Sequence, residues 1–188
     1  MRKLPTQKIL MAIIASSLAF SAVAEEQTGT ITFKGLIYNA TCTININDAN
    51  SPNAEVKMGR FATSEFESND EVGGTGGDGK LKIALIDCPD QGKVSLQLIG
   101  NASANDNTIL ELDNKGNAGV AKNVGIRVYY EDDQTNPIVV NGSKTEDINV
   151  PGFSSQWEGS FIAKYVKTGG TVEAGQADAT VNYKITYK

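Results

Sequence analysis

The stretch AGQADATVNYKITYK, residues 174–188, decides the fold because its side chains alternate strictly in character up to its last residues. One phase is apolar or small and holds Ala177, Ala179, Val181, Tyr183, Ile185 and Tyr187. The other phase is polar and holds Asp178, Thr180, Asn182, Lys184, Thr186 and Lys188. A period of two is typical of a strand with one buried face. Since an aromatic residue keeps the buried phase to the second-last position, we expect something to hold this strand along its whole length.

The same alternation recurs along the rest of the chain, between clusters of turn residues such as Asn141-Gly142 and Gly169-Gly170. It predicts strands over residues 29–38, 54–61, 81–88, 93–100, 107–113, 123–132, 136–140, 156–166 and 178–188. Almost nothing has helical period, and no repeat of fixed length is present. Many short strands with frequent turns indicate a single all-β sandwich domain.

Residues 1–24 have the composition of a secretory signal. Three basic residues precede an apolar run over residues 9–20, and Ala22-Val23-Ala24 is a small-x-small cleavage site. The run is shorter than the about 20 residues of a transmembrane helix. We therefore expect cleavage after Ala24 and export of the mature chain; an uncleaved anchor is the alternative.

The balance of charges limits the possible functions. Without residues 1–24, the chain has 164 residues with 14 basic and 22 acidic side chains, and it has no histidine. Net acidity argues against nucleic acid as a partner, because lysine and arginine supply that affinity. The lack of histidine removes Ser-His-Asp and Cys-His catalysis and the usual imidazole zinc ligands. We expect no catalytic residues, no metal site and no cofactor.

The two cysteines, Cys42 and Cys88, both lie in the exported part of the chain. In an oxidising compartment an even pair most simply forms one disulfide. The chain-entropy model gives roughly 4 kcal/mol for closing a loop of this length. A reactive or metal-binding thiol pair is the alternative, although neither CxxC spacing nor histidine supports it.

The loop GGTGGDGKL, residues 73–81, matches the glycine and lysine spacing of a phosphate-binding loop. Such a loop needs a Ser or Thr after the lysine and a helix behind it, but Leu81 follows Lys80 and the next residues alternate like a strand. Asp78 would also place negative charge beside a phosphate. The loop is therefore predicted to be a flexible connection.

The N-terminal segment QTGTITFKG, residues 27–35, is also two-faced. Gln27, Gly29, Ile31 and Phe33 occupy one phase. It could be the first strand of the sandwich, or a strand that is given to another molecule by β-augmentation.

Taken together, these motifs resemble the fimbrial (pilin) subunits of the chaperone–usher pathway, of the type 1 kind. The resemblance covers essentially the whole chain: a signal peptide, then GTITFKG at 29–35, ATCTI at 40–44, MGRF at 58–61, IDC at 86–88 and NVGIRVYYED at 123–132. The most specific part is the C-terminal region, where the family's sequence pattern is matched by Phe161, Ala163, Tyr165, Gly175, Ala177 and Ala179. Gly175 and the penultimate Tyr187 match the pattern associated with chaperone recognition in this family.

The resemblance implies an incomplete immunoglobulin-like β-sandwich that lacks its last strand. A donor strand within residues 25–36 of a neighbouring subunit would complete the domain 37–188, with Gln27, Gly29, Ile31 and Phe33 entering the groove. The strand that flanks the groove would carry Val181, Tyr183, Ile185 and Tyr187. Implied partners are other pilin subunits, a periplasmic chaperone and an outer-membrane usher.

The implied function is that of a structural subunit of a surface fimbria, most simply the major rod subunit, which supports adhesion and is exported through the periplasm. The Cys42–Cys88 pair would be the family's disulfide. Two other classes stay open: a self-contained secreted β-sandwich that binds carbohydrate or protein, and a glycosidase with two carboxylates across a cleft. The acidic residues stand mostly in turns and on polar strand phases, which does not favour a glycosidase.

Overall fold

The computed structural model describes residues 30, 32–34, 42–68, 70–88, 92–150 and 156–187. Residues Ile37–Lys188 form one compact unit, to which the following description applies. Its elements are β1 (Thr43–Ile46), α1 (Glu65–Ser68), β2 (Glu71–Val72), β3 (Lys80–Ile86), β4 (Gly92–Gly100), β5 (Ala102–Ser103), β6 (Asp106–Leu110), β7 (Val124–Tyr130), β8 (Glu146–Val150), β9 (Trp157–Lys167) and β10 (Val181–Tyr187). No helix in the described part of the chain is long and apolar enough to span a membrane.

The strands form two antiparallel sheets. The larger sheet has the order β1-β3-β9-β7-β6-β5, with β2 also pairing with β9, and the smaller has the order β10-β4-β8. The core lies between the sheets, since Leu85 and Phe161 of the larger sheet and Leu96 and Leu98 of the smaller one are all buried in the same cluster. This is the all-β sandwich that the alternation predicted.

The predicted strands over 81–88, 93–100, 107–113, 123–132, 156–166 and 178–188 are confirmed by β3, β4, β6, β7, β9 and β10. The strand predicted over 136–140 is wrong, although Ile138 and Val140 are buried there. Pro137 has no N–H, and the amides of Ile138 and Val140 donate to different elements, at Val128 and Asn107. Because these two amides bond to different strands, residues 136–140 form no continuous ladder with either strand.

The strand predicted over 54–61 is also absent, since the structure assigns no ladder to these residues. Val56 and Met58 are nevertheless half-buried, whereas Glu55 and Lys57 are exposed, so the alternation of a strand is kept. Side-chain pattern reports burial, but a ladder also needs a neighbouring strand. The predicted strand over 29–38 lies mostly outside the described residues.

A disulfide joins Cys42 and Cys88, whose Cα atoms are 4.3 Å apart. Cys42 directly precedes β1 and Cys88 closely follows β3, and these two strands pair from Thr43 opposite Ile86 onward. The disulfide therefore fastens one end of the β1–β3 pair, as the paired cysteines predicted.

Candidate interaction groove

The last strand, β10, lies at the edge of the smaller sheet. It pairs with β4 along its whole length, from Val181 opposite Gly100 to Tyr187 opposite Val94. On its other side, no strand of the described residues pairs with it. An open edge is a template for another strand, and natural sheets usually protect it.

The inner face of β10 is less buried than the inner face of its neighbour β4. The side chains from Ala177 to Thr186 alternate strictly between half-buried and exposed, in the phases that the sequence predicted. On the neighbouring strand, Leu96 and Leu98 are only 1% and 3% exposed. Their cross-strand partners Ile185 and Tyr183 face the same core but are only half-buried. The open edge thus leaves a strip of apolar surface uncovered.

The direction of the backbone groups follows from the hydrogen bonds of β4. The amide of Gly100 donates to Val140, on the side away from β10. Because backbone groups alternate along a strand, the next residue, Ile99, turns toward β10 and faces Asn182. Val181 and Ile185 pair instead with Gly100 and Leu96, whose backbone groups point away from β10. The N–H and C=O groups of Val181 and Ile185 therefore point away from β4, toward the open side.

A second wall runs opposite β10 and consists of residues 53–59. Here Val56 and Met58 are half-buried and line the space in front of the wall, and Met58 also packs against the core. Between residues 53–59 and residues 177–181 lies a cavity of about 780 Å³. Its floor belongs to the larger sheet and is formed by Leu81, Leu110, Ile126, Val128, Ala163 and Tyr165. We call this space the groove.

The groove extends past residue 177. A second cavity of about 700 Å³ shares Gly59, Tyr165 and Ala177 with the first, and it reaches Phe66 and Val172. Together the two cavities run along this side of the chain from Val172 to Val181. The groove has an apolar floor, and the open backbone edge of β10 continues from its end at Val181.

Three hydrogen bonds hold residues 177–180, which precede β10, in place beyond the end of β4. The amide of Asp113 donates to the carbonyl of Asp178 at 2.8 Å, and the Asp113 carboxylate accepts from the hydroxyl of Thr180 at 2.7 Å. On the groove side, the Tyr165 hydroxyl donates to the carbonyl of Ala177 at 3.0 Å. Burial and the nearby Asp178 raise the pKa of Tyr165, so its hydroxyl stays a donor at neutral pH.

Gly175 lies where the chain approaches the groove and crosses residues 119–122 at very close range. The amide of Gln176 donates to the carbonyl of Gly119 at 2.7 Å, and that of Ala121 donates back to the carbonyl of Gln176 at 2.9 Å. A Cβ added at Gly175 would lie 2.4 Å from the nitrogen of Ala121. Only glycine allows this approach. Gly175, which the sequence predicted as a chaperone-recognition residue, therefore also lets two backbone segments pack closely within the subunit.

Of the predicted donor-strand residues, Gln27, Gly29 and Ile31 lie outside the described residues. Phe33 is described, and its side chain is 91% exposed. Val181 lines the groove, Tyr183 and Ile185 follow it on the same core-facing side of β10, and the backbone of Tyr187 continues the pairing with β4. Their proposed roles with partners stay predictions.

Sequence reasoning did not find the second wall, the floor or Asp113 as parts of one site. The alternation in AEVKMGRF marked the wall as a strand, and Ala163 and Tyr165 belong to a quoted motif. Neither signal says that these residues face each other across a groove. Within the described residues, no group of three or more Cys, Asp or Glu is placed to hold a metal ion.

Comparisons with known proteins identify what the chain resembles. The family model described as "Fimbrial protein" matches residues 31–188. The probable major fimbrial subunit LpfA of Escherichia coli O157:H7 is 30% identical over 188 residues, which cover 97% of each chain. Long polar fimbria protein A of Salmonella typhimurium is 29% identical over 191 residues, covering 100% of this chain and 98% of that protein.

Solved structures agree at the level of the fold. A chain from a chaperone–usher pilus superposes with a TM-score of 0.62 at 20% identity, over 88% of this chain and 99% of that one. The P pilus rod subunit PapA gives a TM-score of 0.58 at 19% identity, over 79% of this chain and 100% of that one. The sandwich is thus the immunoglobulin-like fold of such subunits.

Proposed function

Because the chain belongs to the fimbrial protein family, we propose that its groove accepts the N-terminal extension of another subunit and that fimbriae grow by this exchange. The family consists of structural subunits, so the chain is a structural fimbrial subunit and not an enzyme. Such subunits are exported and polymerise with other subunits into surface fimbriae. The proposal concerns how this chain is joined to its neighbours.

The observation that carries the proposal is the contrast across the β10–β4 pair. Leu96 and Leu98 are buried, whereas the residues paired with them on β10 face the same core and are half-covered. One added strand would cover this strip, and it would meet the backbone groups of Val181 and Ile185 with its own. Main-chain hydrogen bonds give such a complex affinity, and alternate side chains give it specificity.

The donor is the segment 25–36, with Gln27, Gly29, Ile31 and Phe33 turned into the groove. A large apolar side chain such as Phe33 is costly to leave in water and suits the apolar floor. Each subunit then both gives and receives a strand, so the contact is head-to-tail and does not close, which is the geometry of a filament.

Before assembly, the open edge would make a free subunit prone to aggregation. A periplasmic chaperone is therefore expected to cover β10 first, with Gly175 and Tyr187 in the segment that it recognises, and an outer-membrane usher to exchange it for the next subunit. A role as the major rod subunit is supported by the name of the relative from Escherichia coli O157:H7, a probable major subunit.

The test uses the oxidised chain from residue 38 onward and a synthetic peptide of residues 25–37. Thermal unfolding is measured with and without the peptide. The proposal requires a saturable rise in melting temperature that Ile31→Asp or Phe33→Asp in the peptide weakens. A truncated domain that is stable, monomeric and indifferent to the peptide would instead be a self-contained binding sandwich.

A further inference from the structure

The glycine-rich loop that resembled a phosphate site lies against the second wall of the groove. The amide of Gly79 donates to the carbonyl of Lys57, in the middle of that wall, at 2.7 Å. The carbonyl of Gly79 accepts from the amide of Ala163 at 2.8 Å. Since Ala163 belongs to the floor, Gly79 connects the wall to the floor through two backbone hydrogen bonds.

The connection leaves no room for a side chain at Gly79. Its φ is +73°, and an added Cβ would lie 2.1 Å from the carbonyl oxygen of Ala163. Gly76 in the same loop has a similar φ of +65°, but nothing lies within 4 Å of a Cβ added there. The two glycines therefore share the strain of a left-handed conformation and differ in the close approach.

The hydrogen bond to the wall at Glu55 is longer than the one at Lys57. The Nδ2 of Asn47 lies 3.5 Å from the carbonyl of Glu55, at the long limit of a hydrogen bond. Next to Gly79, the Asp78 carboxylate lies against Gly59, where an added Cβ would come within 2.4 Å of it. Residues 78 and 79 thus follow the wall from Lys57 to Gly59.

We propose that Gly79 is a positioning residue that holds residues 53–59 at the distance from β10 at which an incoming strand meets both walls. The inference rests on the proposed function, because it assumes that a strand enters the groove. A wall that is already ordered spares the incoming strand the conformational entropy of ordering it, so affinity rises without any new contact. Gly79 itself does not touch the incoming strand.

The test uses the full mature chain, with Gly79→Ala compared with Gly76→Ala. A fluorescent peptide of residues 25–37 is titrated against each protein at a concentration too low for assembly, and unfolding of the unliganded protein is measured in parallel. Gly79→Ala is expected to bind the peptide at least about tenfold more weakly than Gly76→Ala does. Its loss of affinity should exceed what its loss of stability explains.

Two negative results are distinguishable. Equal peptide affinity in both variants, beside tight binding by the unaltered chain, overturns the role of Gly79 alone. Failure of the unaltered chain to bind the peptide overturns the proposed function and this inference with it.

If Gly79→Ala does not fold, amide hydrogen exchange in the unaltered chain decides the question. Protection of the Gly79 amide, beside fast exchange at Gly76, supports the connection to Lys57. Exchange at Gly79 as fast as at Gly76 overturns it.

Discussion

The hydroxyl of Tyr183 donates a hydrogen bond of 2.7 Å to the carbonyl of Pro52, which ties β10 to the residue directly before the opposite wall. Tyr183→Phe removes this bond and keeps the ring. We expect the free energy of unfolding of the empty subunit to fall by about 1 kcal/mol, the usual net value of one hydrogen bond. Urea unfolding measures it, and a Tyr183→Phe chain as stable as the original would show that the tie is not formed in solution.

Gly175→Ala should destabilise the subunit because the new Cβ would meet backbone atoms of Val120 and Ala121, which cannot move independently. Overpacking of this kind costs about 1–3 kcal/mol. Gly116→Ala serves as a stringent control, since nothing lies within 4 Å of a Cβ added there and its φ of +93° adds a backbone strain that Gly175 does not have. Thermal unfolding of both variants checks the prediction, which fails if Gly116→Ala is the more damaging.

Substitutions on the two phases of the N-terminal segment should differ in their effect on assembly, but neither should change the stability of the subunit. Phe33 is 91% exposed, so Phe33→Asp should leave unfolding of the subunit unchanged. It should prevent fimbria formation, because a carboxylate would have to enter an apolar groove. Thr32→Asp, on the opposite phase, serves as control and should assemble. Electron microscopy and sedimentation give the readout; fimbriae from Phe33→Asp would place the other phase in the groove.

Reduction of the disulfide should lower stability strongly. Cys42 and Cys88 are 46 positions apart, and opening such a loop removes about 4 kcal/mol in the chain-entropy model. Guanidinium unfolding with and without reductant measures the change. The Cys42→Ser, Cys88→Ser double variant has no disulfide, so its midpoint should be the same with and without reductant. An unchanged midpoint after verified reduction would contradict the prediction.

Acid should weaken the fold partly through Asp133. Hydrogen bonds from Thr135 and Asn136 hold the pKa of Asp133 at about 2, below its ordinary 3.8. The unfolded chain is therefore protonated first as the pH falls, so the stabilising contribution is complete above about pH 4 and disappears toward pH 2. As the pH is lowered between these values, the unfolding midpoint of Asp133→Asn should fall less steeply than the midpoint of the original chain. Parallel curves would rule out a role for this carboxylate.

Much of the fold followed from period-two alternation, because burial of one face is a local property of a strand. The phases of residues 177–186 were predicted residue by residue. The strand predicted over 54–61 on the same grounds forms no ladder with a described strand, because alternation reports the burial of one face and not the presence of a neighbouring strand. The contacts of Gly79 with Lys57 and Ala163 could not be predicted, because they join residues far apart in the sequence.

Assembly by strand exchange requires that the groove of one subunit holds the N-terminal segment of another. The most direct measurement places the photo-crosslinker p-benzoylphenylalanine at position 33 in fimbriae assembled from equal amounts of ¹⁴N- and ¹⁵N-labelled subunits. Mass spectrometry of the irradiated fimbriae then identifies each crosslinked peptide pair and its isotopes. Strand exchange between subunits predicts mixed-isotope pairs that join residue 33 to the groove walls, residues 53–59 and 177–181, or to its floor. Same-isotope pairs alone, or crosslinks on the outer face of either sheet, would contradict it.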